Sequence, residues 1–208
     1  MTNWFKFCYY NNMSRGPNKQ FDIELALSKA MEVFWARGYE AASLSELLEH
    51  MGIGKKSLYD TFGNKRALFL KALEHYARTE IKAIRDRLQA PGSPLGNLEA
   101  LFQELQNRHA IPGSKGCMLG TNIADFDTND EDMAAVLRGY LQEVEDAYYK
   151  AITHAQEAGE LSRTLNPRNL ARMLLCTTQG MALVGRVLDN ETILQSTVEA
   201  TTSLLKEA

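Results

Sequence analysis

The segment 43–63 constrains the fold of this chain more than any other, because it predicts two short helices joined by a tight turn. Ser43 opens a capping box in which its hydroxyl accepts from the amide three residues on, while Glu46 reaches back. A helix over 44–51 is broken by a Gly-Ile-Gly turn, and a second helix over 55–62 ends at a glycine. Two short helices around a glycine-containing turn form a helix-turn-helix unit.

Helical periodicity continues on both sides of this unit, without the alternation typical of strands. A first helix runs from Phe21 to Gly38, and a long helix capped by Asn64 reaches about Gln89, where a Pro-Gly-Ser-Pro run stops it. Five further helices are predicted at about 95–108, 117–124, 133–158, 167–188 and 191–206. The predicted fold is all-α, with about nine helices.

The predicted domain organisation has three parts. Residues 1–13 form an aromatic leader without periodicity, and we interpret Met13 as the physiological start. Residues 14–63 form a helix-turn-helix domain with three helices, and residues 64–208 form a helical C-terminal domain in which the helix over 64–90 is the connector.

The net charge of −3 would by itself argue against a polyanionic partner. Divided along the chain, residues 14–90 hold 13 basic and 10 acidic residues, for a net charge of +3. Residues 91–208 hold 9 basic and 16 acidic residues, for a net charge of −7. This asymmetry suggests two functions, although differences of this size also arise by chance, so the motifs must decide.

Several classes of protein are excluded by what the sequence lacks. No apolar run approaches the ~18 residues of a membrane span and no signal peptide opens the chain, which predicts a cytoplasmic protein without a membrane partner. Three separated cysteines make neither a disulfide framework nor a tetrathiolate zinc site. The scattered histidines and the absence of a phosphate loop predict no enzyme, no metal and no cofactor. A calcium-like loop beginning at Asp125 fails at Asp130 and Val136, where glycine and glutamate are needed.

The runs FWARGYEAASLSEL over 34–47 and GIGKKSLYDTFGNK over 52–65 resemble the DNA-binding domain of TetR-family transcriptional regulators. The resemblance implies an all-helical homodimer, in which a three-helix N-terminal domain binds DNA and a divergent C-terminal domain binds a small ligand and dimerises. The chain departs from the family at Ala42, Thr61 and Gly63, where Ser or Thr, Tyr and Pro are common. These departures leave the operator sequence open.

The residues predicted to bind DNA flank the turn. Lys55, Lys56 and Ser57 begin the third helix, where the dipole and free amides favour phosphate and side chains can enter a major groove. Lysine can donate to guanine O6 and N7, so these residues are expected to read bases. In similar regulators, the residues at the positions of Ser43, Tyr59 and Lys65 contact phosphates. For Tyr59, packing in the core is the alternative. The predicted contacts are Ser43, Gly54, Lys55, Lys56, Ser57, Tyr59 and Lys65.

The Gly116-Cys117 pair resembles a segment of N-ethylmaleimide-responsive TetR repressors, where a cysteine senses electrophiles. The helix dipole and Lys115 favour a thiolate, whereas a buried packing residue is the alternative. A TetR-like architecture places the ligand pocket between the middle helices. The candidate ligand-binding residues are Phe102, Leu105, Cys117, Phe126, Tyr140, Tyr148, Met173 and Gln179.

The predicted function is a ligand-responsive, DNA-binding transcriptional regulator. We expect a repressor that leaves a pseudopalindromic operator when a small molecule or electrophile binds, so its partners are double-stranded DNA, an effector and a second copy. Small residues such as Gly180, Ala182 and Gly185 fit a four-helix dimer interface. The alternatives are an activator with the same DNA-binding domain, or a helical binding protein or enzyme without DNA affinity.

Overall fold

The computed structural model describes residues 21–124, 130–188 and 191–207, and the helices cover most of them. Over these residues no strand is present, which confirms the all-α prediction. The predicted leader lies outside the described residues. The nine helices of the described part are α1 Ile23–Ala41, α2 Leu44–Met51, α3 Lys55–Phe62, α4 Lys65–Leu88, α5 Pro94–Ala110, α6 Met118–Ala124, α7 Glu131–Glu157, α8 Pro167–Val184 and α9 Glu191–Glu207.

The first three helices enclose a small apolar core against the start of α4. Leu58 and Phe62 of α3 are 0% and 3% exposed, as their spacing of four residues predicts. Phe34 of α1 and Phe69 of α4 meet edge to face, with ring centroids 4.9 Å apart. This core fixes α2 and α3 against α1 and α4 and leaves the first turn of α3 facing solvent.

Gly38 interrupts α1 instead of ending it. Its backbone has φ 76° and ψ 174°, a conformation that L side chains rarely adopt, and the chain then makes one more turn to Ala41. The sequence therefore predicted the break at Gly38 correctly, but the prediction that the helix ends there was wrong. The turn that follows brings Tyr39 onto Phe69, with ring centroids 4.9 Å apart.

The long helix α4 joins the two parts of the molecule. Asn64 caps it, because its Oδ1 accepts from the amide of Ala67 at 2.8 Å. Its 24 residues extend roughly 36 Å, and buried side chains recur from Leu68 to Leu88. The helix packs on α1, α5 and α7, so it contacts both N-terminal and C-terminal helices.

Around α7, the C-terminal helices continue the same apolar core. Tyr148 of α7 is fully buried and lies 6.3 Å from Phe102 of α5, measured between ring centroids. Asp130 caps α7 by accepting from the amide of Met133 at 3.0 Å. No helix in the described part is long and apolar enough to cross a membrane.

Two of the small residues predicted for a dimer interface pack against helices of the same protomer. Ala182 is 2% exposed. A Cβ on Gly185 would lie 2.6 Å from the carbonyl oxygen of His109, so this glycine allows α8 to approach the end of α5 closely. Helical spacing alone could not separate packing within one chain from packing between two chains.

Candidate nucleic-acid interface and effector pocket

The first turn of α3 is exposed and carries positive charge. Gly54 precedes the helix and supplies no side-chain cap, and the first turn has no acidic residue. Lys55 and Lys56 are exposed, and Ser57 is half-buried. The helix dipole, the amides of the first turn and the two ammonium groups therefore all favour an anion at this end of α3.

Ser43 begins α2 in the manner that the sequence predicts, but Glu46 does not complete the capping box. The Ser43 Oγ accepts from the Glu46 amide at 3.1 Å and lies 3.0 Å from the Ser45 Oγ. The Glu46 carboxylate instead accepts from Arg37 Nε at 3.1 Å, because α1 brings a guanidinium within its reach. Ser43 remains exposed at the start of α2.

Tyr59 lies one turn after Lys55 on α3 and is 45% exposed. The core position beside it is filled by Leu58, which is completely buried. Packing in the core therefore does not explain the tyrosine at this position. Its hydroxyl can contact a partner on the same face of α3 as Lys55.

Lys65 starts α4 and is held over the end of α1. Its Nζ lies 4.6 Å from the centre of the Tyr39 ring and donates to the Glu40 carbonyl at 3.4 Å. This contact keeps the ammonium close to the chain segment that leads into Ser43. Sequence reasoning did not select Tyr39, and its position directly after the Gly38 break is the signal that could have indicated a positioned side chain.

The C-terminal part contains a small pocket between α4, α5, α7 and α8, closed at one side by Cys117. Its cavity volume is about 20 Å³, which is room for one or two water molecules. Five of the predicted ligand-binding residues line it: Leu105, Cys117, Tyr140, Tyr148 and Gln179. Residues that the sequence did not indicate complete it, among them Tyr76, Glu80, Arg108, His109 and Thr178.

The remaining predicted pocket residues do not line this space, and one of them is not described. Phe102 is buried behind Tyr148, about one turn of α5 away from Leu105. Met173 precedes Gln179 by six residues on α8, which places it roughly 240° around the helix and away from the pocket. Neither residue is among those that line this pocket. Phe126 lies outside the described residues.

Burial controls the protonation of the groups around the pocket. Desolvation raises the pKa of Tyr76, Tyr140 and Tyr148, so their phenols stay protonated. Burial, together with the nearby Arg108 charge, lowers the pKa of His109 to about 4, so its imidazole is neutral at pH 7. The charged groups of the lining pair with each other, since Arg108 donates to Glu80 at 2.8 Å.

Cys117 lies at the start of α6 and inside the pocket. It is 6% exposed, its Sγ accepts from the Gly120 amide at 3.4 Å, and the Tyr140 hydroxyl is 3.7 Å from the sulfur. The cysteine therefore caps its helix and also meets the wall of α7. Among the residues with described positions, no cluster of three His, Cys, Asp or Glu could hold a metal ion.

A chain of aromatic contacts joins the pocket to the N-terminal helices. Tyr76 lines the pocket from α4, and its ring meets Trp35 of α1 edge to face at 5.1 Å between centroids. Lys115, two residues before Cys117, places its Nζ 5.4 Å from the centre of the same indole. The segment before α6 and the wall of α4 thus both contact α1.

Comparison with known proteins matches both parts of the chain. Residues 94–201 match the family profile of the tetracyclin repressor-like C-terminal domain, and residues 26–72 match that of the bacterial regulatory proteins of the tetR family. The uncharacterized HTH-type transcriptional regulator YezE of Bacillus subtilis (strain 168) is 35% identical over 192 residues, which are 91% of this chain and 99% of that protein. The HTH-type transcriptional repressor ComR of Escherichia coli (strain K12) is 31% identical over 178 residues, 83% of each chain.

A solved structure resembles this chain in fold over almost the whole length of the chain. It is a cysteine mutant of the TetR family transcriptional regulator CifR complexed with 26-bp double-strand operator DNA, with a TM-score of 0.79 and 27% sequence identity. The match covers 91% of this chain and 100% of that one. With two family profiles and a relative of matching length, this chain belongs to the TetR family of bacterial transcriptional regulators, as its helix-turn-helix spacing predicts.

Proposed function

We propose that this regulator is a cytoplasmic homodimeric repressor that binds a pseudopalindromic operator and releases it when an effector enters the C-terminal pocket. The observation that carries the proposal is the exposed, uncapped first turn of α3 with its two lysines. The CifR complex with operator DNA and the repressor ComR support DNA binding and repression. Each protomer supplies one α3, and a two-fold dimer sets the two about one DNA turn or slightly more apart.

The proposed DNA contacts divide by chemistry. Lys55, Lys56 and Ser57 face base edges in the major groove, and Gly54 leaves the backbone before them open because it has no side chain. The remaining contacts are to phosphates, which orient the domain without reading sequence. They are made by Ser43, Tyr59 and Lys65.

The domains proposed for these two tasks are residues 14–63 for DNA and residues 64–208 for effector binding and dimerisation. Effector binding must favour one arrangement of the two DNA-binding domains over another, and α4 is the connecting lever. The contacts from Tyr76 and Lys115 to Trp35 support this, because a ligand that displaces either side chain also moves the packing of α1.

Substitution of the lysines tests the DNA interface. Lys55→Ala and Lys56→Ala should each weaken operator binding about tenfold at fixed salt, because each removes a contact to a base edge. The salt dependence of binding should also become flatter, because each variant removes one positive charge from the DNA surface. Fluorescence anisotropy with a duplex selected from random sequences measures both quantities. The matched control is Lys150→Ala, an exposed lysine of α7, which should bind like the wild type. A salt slope equal to the wild type in both α3 variants would contradict the proposal.

Covalent modification of Cys117 is the second candidate for the effector signal, because the thiol lies inside the pocket. N-ethylmaleimide should then modify Cys117 and release DNA from the wild type but not from Cys117→Ser. Peptide mass mapping identifies the modified residue, and the exposed Cys176 serves as the control through Cys176→Ser. Modified Cys117 with unchanged DNA affinity would leave the thiol as a packing residue.

A reporter assay separates repression from activation. Expression from the footprinted promoter should rise when the regulator gene is deleted, whereas an activator would give a fall. Binding or turnover of a small molecule without any DNA affinity would instead favour the alternative of a helical binding protein or enzyme.

A further inference from the structure

The cavity beside Cys117 is enclosed by buried side chains on most of its sides. Among the described residues that line it, all except Glu80, Arg108 and Gln179 are buried. The side chain of Gln179 is directed inward, because it hydrogen-bonds to Tyr140 of α7 and its Oε1 is buried. Solvent therefore meets the cavity where Glu80 of α4 and Arg108 of α5 lie.

Glu80 and Arg108 form an ion pair at this opening. The Arg108 Nη1 donates to the Glu80 Oε2 at 2.8 Å. The side chain of Glu80 is 18% exposed and that of Arg108 is 43% exposed. Each residue therefore contacts the cavity on one side and water on the other, and the pair closes the space between the two helices.

The closed cavity has room for water alone. Its volume of about 20 Å³ holds one or two water molecules. Cys117 lines this space, is 6% exposed and lies with its Sγ 3.7 Å from the Tyr140 hydroxyl. A larger molecule therefore reaches the sulfur only when part of the wall moves.

The ion pair is the part of the wall that moves at the lowest cost in free energy. Long glutamate and arginine side chains can rotate into water without displacing a helix, and their charges then become hydrated. Exposed ion pairs contribute little to stability, so separating this partly exposed pair costs little. Movement of a buried wall residue such as Val144 or Tyr148 would instead disrupt the packing of the core.

We propose that the Glu80–Arg108 pair is a gate that controls the access of electrophiles to Cys117. While the pair is formed, the cavity holds only water and the thiol is protected. When the pair separates, the space between α4 and α5 opens and a reagent such as a maleimide reaches the sulfur. Only the biological role of the gate rests on the proposed function, namely the use of Cys117 as the effector signal.

Alkylation rates test the gate, with a second cysteine of the same chain as the reference. The full-length protein, free of DNA, is treated with N-ethylmaleimide, and peptide mass mapping follows Cys117 and Cys176 separately. Cys176 is exposed, so its rate corrects for reagent and buffer. In the wild type, Cys117 should react more slowly than Cys176, because its sulfur is reached only while the gate is open.

Two substitutions of opposite charge separate a gate from an electrostatic effect on the thiol. Glu80→Gln removes a negative charge and Arg108→Gln removes a positive one, so an electrostatic effect on the thiolate would change its rate in opposite directions. Both substitutions break the pair. The gate therefore predicts that both raise the Cys117 rate, relative to the Cys176 rate, by about threefold.

Glu104→Gln is the matched control. It removes an ion pair with Arg87 at 2.8 Å that joins the same two helices but does not line the cavity. The relative rate at Cys117 should then equal that of the wild type. Circular dichroism verifies that each variant folds as the wild type does.

Ionic strength provides a measurement that needs no substitution. Raising the salt concentration from about 0.01 M to about 1 M screens a partly exposed ion pair. The relative rate at Cys117 should therefore rise with salt in the wild type. The rise should be absent in Arg108→Gln, which has no pair to screen.

The outcomes separate the gate from the proposed function. Opposite changes in Glu80→Gln and Arg108→Gln, or changes no larger than in Glu104→Gln, would overturn the gate, whatever the protein does with DNA. A wild-type Cys117 that reacts as fast as Cys176, or whose relative rate does not depend on salt, would also overturn it. If the rates behave as expected but alkylated protein retains full operator affinity, the gate stands and the role of the thiol as effector signal fails.

Discussion

At the scale of single residues, two glycines with similar positive φ angles allow the effect of packing before α6 to be measured. Gly116 and Gly113 have φ of 67° and 76°, so alanine at either position is strained. A Cβ on Gly116 would lie 2.5 Å from the Ala182 carbonyl oxygen, whereas a Cβ on Gly113 meets nothing within 4 Å. The two positions differ in packing and share the conformational strain.

Gly116→Ala should therefore destabilise the protein by about 1–3 kcal/mol more than Gly113→Ala, because α8 must move away from the segment before α6. Urea unfolding followed by circular dichroism, at one fixed protein concentration, measures the difference. Equal destabilisation by both variants would mean that α8 shifts at little cost, and that the pocket wall is more adaptable than its contacts indicate.

The pocket residues illustrate which site residues a sequence can indicate. Tyr140, Tyr148 and Gln179 could be selected because polar groups among apolar positions of a helix suggest a bound partner. Glu80 and Arg108 could not, since their pairing depends on how α4 and α5 are rotated against each other, and each alone resembles a solvated surface charge. The lysines of α3 were accessible to prediction because the turn before them fixes their place.

At the scale of helices, Arg66 ties the start of α4 to the start of α7. Its guanidinium pairs with Asp130 at 2.6 Å and Asp132 at 3.0 Å. The Met133 amide and Arg66 together keep the pKa of Asp130 below its usual range, so this carboxylate is ionised at neutral pH. Because Arg66 follows α3 by only four residues, these pairs fix the DNA-binding domain relative to the C-terminal helices.

Arg66→Gln should accordingly weaken operator binding a few-fold while leaving Tm nearly unchanged, because exposed ion pairs contribute little to the free energy of unfolding. Anisotropy and thermal melts give the two numbers. Arg138→Gln is the control, because it removes a pair with Glu131 that lies within α7. A drop in Tm without a change in operator affinity would show that the Arg66 pairs only stabilise the fold.

Helix boundaries followed from the sequence where the signal is local. Ser93, Asn166 and Asn64 cap helices at the places that proline, glycine and apolar periodicity indicate. The end of α1 was not predictable in this way, because its last turn after Gly38 is held by the contact of Tyr39 with Phe69. That contact joins residues thirty positions apart and depends on tertiary structure.

At the scale of the whole molecule, charge and apolar surface are distributed for two different tasks. The segment 14–90 has a net charge of +3 and the segment 91–208 has −7, so the weak total charge of −3 conceals a basic DNA-binding part. The acidic part should repel DNA and so reduce non-specific binding. The proposed homodimer then requires that the two basic parts be joined through a surface away from the DNA.

Exposed apolar side chains around the end of α8 indicate where that joining surface lies. Leu183, Val187 and Leu188 are 41%, 79% and 42% exposed.

Val187→Asp should convert the dimer to a monomer, because it places a charge in the interface while leaving the protomer core unchanged. Sedimentation velocity measures the mass, and operator affinity should fall at least a hundredfold once the two DNA-binding domains are separated. Ile111→Asp alters an apolar residue that is 61% exposed after α5 and should remain dimeric. If Val187→Asp remains dimeric, the interface lies elsewhere. If it is a monomer that retains full operator affinity, operator binding does not require the dimer.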